Sequence, residues 1–146
     1  MIKLTFPQPA FRIKEEEGKE LIFDDIRKQW VRLTPEEWVR QNFVQYLLQE
    51  LQYPAAYISI EKEMKLGERK KRFDLLVFDS MHRPWLMLEC KAMDVDLTQQ
   101  TVEQIVRYNM SMPVAYLVVS NGSFTYAWQK TTHAFESIEC MPMFPS

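Results

Sequence analysis

Cysteine and histidine are scarce in this chain, at two residues each. Cys90 and Cys140 form no C-x-x-C pair, and His82 and His133 stand in polar, turn-like stretches, so no cysteine/histidine zinc centre is expected. So few thiols also fit a reducing compartment. No apolar run approaches the roughly eighteen residues that mark a membrane-spanning helix. The opening Met1-Ile2-Lys3-Leu4-Thr5-Phe6-Pro7 lacks the apolar core of a secretion signal, so a cytoplasmic protein without membrane contact is expected. Internal repeats and low-complexity tracts are absent, which excludes solenoid architectures. An excess of one charge is missing too. The formal net charge of −2 does not announce a nucleic-acid binder. It does not exclude one either, because a local basic patch beside an acidic site suffices.

What is present is ordinary globular composition, 47% hydrophobic and 26% charged over 146 residues. That predicts one domain able to bury a core without disulfide or metal staples. Phe11 to Lys14 and Glu20 to Phe23 read as short strands around the polar turn Glu15-Glu16-Glu17-Gly18-Lys19, an N-terminal β-hairpin. Asp24 to Leu33 carries no clear pattern beyond a packed connector. Thr34, Pro35 and Glu37 then make a strong helix start, with Thr34 as cap and Thr-x-x-Glu as a capping box. Val39, Phe43, Leu47 and Leu51 recur at helical spacing until Pro54, predicting about five turns.

Strand-like segments follow at Tyr57 to Leu66, Phe73 to Phe78 and Trp85 to Lys91, the last two joined by a turn over Asp79 to Pro84. Thr98 to Asn109 reads as a helix capped by Thr98. Val114 to Val119 and Phe124 to Trp128 read as strands joined at Asn121-Gly122. This order predicts an α/β fold with a central mixed sheet flanked by helices and an N-terminal hairpin extension.

Two of the strands hold charges where a purely structural strand would not place them. Asp74 opens Leu75-Leu76-Val77-Phe78, and Glu89 and Lys91 interrupt and close Trp85-Leu86-Met87-Leu88-Glu89-Cys90-Lys91. Burying three charges costs several kcal/mol unless they pair or hold a metal. If neighbouring strands bring Asp74 beside Glu89, two carboxylates and one ammonium meet. That set suits phosphodiester hydrolysis. Asp74, Glu89 and the Cys90 backbone carbonyl would offer hard oxygens to Mg²⁺, with Mn²⁺ as a substitute. Lys91 would position a water or help deprotonate it.

Asp74, a gap over residues 75–88, and then Glu89-Cys90-Lys91 resembles the PD-(D/E)xK nuclease signature. Lys71-Arg72-Phe73-Asp74-Leu75-Leu76-Val77 and Met87-Leu88-Glu89-Cys90-Lys91-Ala92 are similar to the N-terminal nuclease domain of type I restriction enzyme R subunits. Pro35 to Gln41 and Gln104 to Tyr108 extend that likeness, and Gln104-x-x-x-Tyr108 is similar to the Q-x-x-x-Y element of RecB-like nucleases. Phe73 departs from the pattern, standing where the signature has proline. The resemblance implies a restriction-endonuclease-like core over about residues 34–130, with residues 1–33 as an extension. It implies a Mg²⁺-dependent deoxyribonuclease, endonuclease more than exonuclease, that acts on DNA. These 146 residues show no helicase motor, so restriction or helicase subunits are candidate partners.

Several residues carry two readings. Glu37 is either a further metal ligand or simply the capping-box acid; Glu36 is its substitute, or a charge complementing the helix dipole. Gln104 and Tyr108 share a helix face and either serve the catalytic site or form an amphipathic surface. Lys65, Arg69, Lys70, Lys71 and Arg72 are either a DNA-backbone contact or a solvated charge run. The rival to an enzyme is a domain that keeps the fold and grips DNA or a protein without cutting.

Overall fold

A computed structural model describes residues 1–145. The first strands are β1 (Ile13–Glu16), β2 (Lys19–Asp24) and β3 (Gln29–Arg32), an antiparallel sheet in that order. The N-terminal extension is therefore a three-stranded meander and not a hairpin alone. The β2–β3 turn is built without glycine: the Asp24 carboxylate accepts the Ile26 and Arg27 amides at 2.8 and 2.9 Å, and Lys28 takes a positive φ of 56°.

Helix α1 (Pro35–Gln45) starts where the cap and proline predict, with Thr34 Oγ1 accepting the Glu37 amide at 3.0 Å. Its regular pitch is shorter than the expected five turns. Tyr46–Glu50 continues as one π-helical turn, in which the Leu51 amide donates to the Tyr46 carbonyl at 3.2 Å. Thr34→Ala should lower stability by about 1 kcal/mol, read as a shift in urea midpoint at constant m-value.

The main sheet contains β4 (Ile58–Leu66), β5 (Arg69–Phe78), β6 (Pro84–Cys90), β7 (Tyr116–Ser120), β8 (Thr125–Lys130) and β9 (Phe135–Ile138), in sequence order. Every neighbouring pair is antiparallel except β6–β7, which is parallel. Helix α2 (Gln99–Tyr108) makes the crossover between these two strands, and Thr98 caps it through the Thr101 amide at 3.1 Å. The molecule is thus α/β with a six-stranded mixed sheet.

The central strands are apolar on both sides because helices cover both faces. Leu75, Val77, Leu86, Leu88 and Cys90 pack with Val39, Phe43 and Leu47 on the α1 side. Leu76, Met87, Leu117 and Val119 pack with Ile105 on the α2 side. No described helix is long and apolar enough to cross a membrane.

Two differences from expectation concern β9, which alternation did not reveal, and the basic stretch before Asp74. Arg69 to Arg72 already belong to β5, because β4 and β5 keep pairing outward as a two-stranded arm that closes at Gly67, φ +63°. Most of that arm is solvated on both faces, so it carries no apolar period to read. Of the tail from Met141 onward, Ser146 lies outside the described residues.

Candidate functional site

The β5–β6 ladder ends at the pair Leu75–Leu88, next in sequence to Asp74 on β5 and Glu89 on β6. There the strands stop exchanging backbone bonds. The Cys90 amide, which faces β5, is taken instead by Asp74 Oδ2 at 2.8 Å, while the next amide, Lys91, turns to β7 and donates to the Ser120 carbonyl at 2.9 Å. The Cys90 carbonyl leaves its strand on the same side as its amide, toward Asp74. Beside this point β4 is irregular too. The β4–β5 register runs from Ile60–Leu75 to Lys62–Phe73, skipping the step between Glu61 and Asp74, and Glu61 takes φ +52°. Phe73 accordingly packs with Leu76 on the α2 side, against strict alternation. This break frees Asp74 to reach Cys90 and helix α1.

Asp74, Glu89 and Lys91 are brought together, all half-buried. Lys91 Nζ stands 4.0 Å from Glu89 Oε2. Burial raises the Glu89 pKa; Lys91 opposes this, and the Asp74 charge reinforces it. Glu36, on the exposed side of α1, is also raised, first by burial and then by Asp74, against Arg40 and Lys91. Asp74 and Lys91 therefore act electrically on both Glu36 and Glu89.

Glu37 is committed elsewhere. Its oxygens accept from Arg40 Nε and Nη2 at 3.0 and 2.8 Å, from Arg27 Nη2 at 2.9 Å and from Gln41 Nε2 at 3.1 Å. Burial alone would raise its pKa, but the hydrogen bond and charge of Arg40, with Gln41 and Arg27, bring it below the usual carboxylate value. Glu37, read from the sequence as either a metal ligand or the capping-box acid, is a buried ion-pair partner, and Glu36 on the same helix feels the Asp74 charge. Cys90 is fully buried among apolar groups, and burial holds its thiol protonated.

The basic residues divide. Arg72 pairs with Glu61 at 2.6 Å and Lys70 with Glu63 at 3.7 Å. Lys65 sits directly opposite Lys70, an unfavourable like-charge pair. Lys71 turns inward: its Nζ bonds Asn109 Oδ1 and lies 4.1 Å from the Tyr108 ring centroid. Burial lowers the Lys71 pKa, opposed by the charges of Glu89 and Asp74. Arg69, Lys70, Lys71, Tyr108, Ser111 and Met112 line a cavity of about 360 Å³. Tyr108 is 68% exposed there. Gln104 is exposed one turn earlier on α2, and its side chain makes no hydrogen bond to a described residue. Arg40 escaped sequence reasoning; its only signal was a charge set between the core positions Val39 and Phe43.

Among the described residues, no three or more His, Cys, Asp or Glu side chains gather into a preformed metal cage. Two carboxylates with a nearby backbone carbonyl still fit Mg²⁺, which keeps several waters and needs one or two protein carboxylates. They do not fit zinc, which wants three or four nitrogen or sulfur ligands. No curated protein matches the chain. A family model for the N terminus of type I restriction enzyme R proteins matches residues 35–145, from α1 through β9, leaving out β1 to β3.

Proposed function

Because this chain belongs to the type I restriction enzyme R protein N-terminal family, we propose that it is a divalent-metal-dependent nuclease that cuts DNA internally. In this reading residues 1–146 form a single domain, with a restriction-endonuclease-like PD-(D/E)xK core over about residues 34–130. The observation that supports it most is the meeting of Asp74, Glu89 and Lys91 where β5 and β6 part, beside a basic cavity.

Asp74, Glu89 and the Cys90 carbonyl would hold Mg²⁺ or Mn²⁺, which supplies charge stabilisation at the phosphoryl group and an acidified water. The chain's own residues do the rest. The Cys90 amide fixes one Asp74 oxygen, and Arg40 Nη1 lies 3.5 Å from the other. Lys91 would position the attacking water and help its deprotonation, its positive charge easing ionisation of that water and balancing Glu89. Arg69, Lys70 and Lys71 hold phosphates along the cavity, and Tyr108 offers a ring to an adjoining base or sugar. Lys65 extends this cationic track at the arm. Glu36 is a further acidic group at the site. Other subunits of a restriction complex are the partners such a domain would serve.

Supercoiled plasmid incubated with the protein and Mg²⁺ or Mn²⁺ should become open circles and then linear, and excess EDTA should stop it. Plasmid that is bound but stays supercoiled with either ion would leave a binding domain in place of an enzyme.

A further inference from the structure

The most heavily buried charges in the molecule are outside the carboxylate site. Asp24 is 0% exposed, Glu37 4% and Arg40 5%, and Gln41 beside them is 1% exposed. They form one chain of contacts. Arg27 Nε meets Asp24 Oδ2 at 2.5 Å, and its two terminal nitrogens reach Glu37 and Glu61 at 2.9 and 3.2 Å. Gln41 Nε2 bridges Asp24 and Glu37 at 3.0 and 3.1 Å. Glu37 takes the Arg40 guanidinium on both oxygens, a bidentate fork that leaves the Arg40 head no rotational freedom. The nitrogen left over, Arg40 Nη1, points at Asp74 Oδ1 at 3.5 Å, and Nη2 also reaches Glu61 at 3.4 Å.

We propose that Arg40 is a positioning residue for Asp74, and that the β2–β3 turn, through Asp24 and Arg27, is what holds Arg40 in place. Asp74 is gripped on one oxygen by the Cys90 amide and on the other by Arg40, so its carboxylate plane is set from both sides. The first of these grips belongs to the sheet. The second is carried from β1–β3, the part of the chain outside the family match. The N-terminal meander is then a component of the metal site although none of its residues touches the ion. This inference rests on the reading of Asp74 as a metal ligand. Partners that orient a ligand typically change metal affinity about 10–100-fold when removed.

Two effects of Arg40 oppose each other. Its fork orients Asp74, which aids binding; its positive charge repels a cation, which hinders it. Arg40→Lys separates them, because lysine keeps the charge but cannot grip Glu37 with a fork while reaching Asp74. Mn²⁺ binding to the full chain is the readout, followed by titration calorimetry or by loss of the free-ion EPR signal, with circular dichroism to show that each variant is folded. Arg40→Lys should weaken Mn²⁺ binding about tenfold or more, and Arg27→Lys should weaken it in the same direction by less.

Unchanged or tighter Mn²⁺ binding in folded Arg40→Lys overturns the proposal. Should that variant not fold, Arg27→Lys decides: an unaltered affinity there removes the relay from the N-terminal sheet. Asp74→Asn separates this failure from that of the underlying reading. If wild type and Asp74→Asn bind Mn²⁺ alike, or wild type binds none, Asp74 is no ligand and both ideas fall together.

Discussion

Lys91→Met should reduce plasmid nicking by at least about a hundredfold at saturating Mn²⁺, within the 10²–10⁴-fold range typical of a group that moves or steadies a proton. The substitution is clean. Lys91 lies just past the end of β6 with its side chain 38% exposed, and its backbone amide keeps the bond to Ser120 whatever the side chain. Methionine preserves the unbranched stem, so stability should move by less than about 0.5 kcal/mol. Asp74→Asn should cost activity at least as heavily, but by another route. It should also lose Mn²⁺ affinity, whereas Lys91→Met should keep it or gain slightly, because a cation has been removed from beside Glu89. The pair of measurements therefore assigns roles that activity alone would confuse. Full nicking by Lys91→Met would end the proposed part of this lysine in the reaction.

Much of this site was legible in the sequence because a strand alternates and a charge in an apolar run is conspicuous. Asp74, Glu89 and Lys91 stood out against Leu75 to Phe78 and Trp85 to Leu88, and the last β5–β6 pair, Leu75–Leu88, adjoins both acids. The start of α1 was equally plain, since Thr34 and Pro35 act locally. What could not be read depends on contacts between distant segments. Residues 36 and 37 are adjacent on a helix and so point in different directions. Nothing local says which of them turns toward the sheet end and which into the core. Arg27, ten residues away, settles it by seizing Glu37. β3 and β9 were missed for a different reason: residues such as Gln29, Trp30, Glu136 and Ser137 are exposed, so burial imposes no pattern on them. The break at Glu61 has no signal in a residue that ordinarily avoids positive φ. Three guanidiniums, from Arg27, Arg40 and Arg72, surround its carboxylate and offset a strain on the order of 1 kcal/mol.

Arg40→Met should destabilise the protein by about 3–5 kcal/mol, the usual cost of stripping one partner from a buried ion pair. Arg40 and Glu37 side chains are 7% and 6% exposed, so solvent offers little relief to a carboxylate left with Arg27 and Gln41 as its partners. Methionine fills similar volume and suits a helix, which leaves the lost charge as the main effect. The double variant Glu37→Leu/Arg40→Met should recover at least about half of that loss, because well-packed apolar side chains replace buried pairs at little cost or with a gain. Urea unfolding of the wild type, the single and the double variant measures both steps. Recovery of stability without recovery of nicking would mean that folding alone does not require these charges, and that their presence serves the carboxylate they face. A double variant as unstable as the single one would instead show that Arg27, Gln41 and Asp24 depend on the pair, and the network would then count first as a support of the fold.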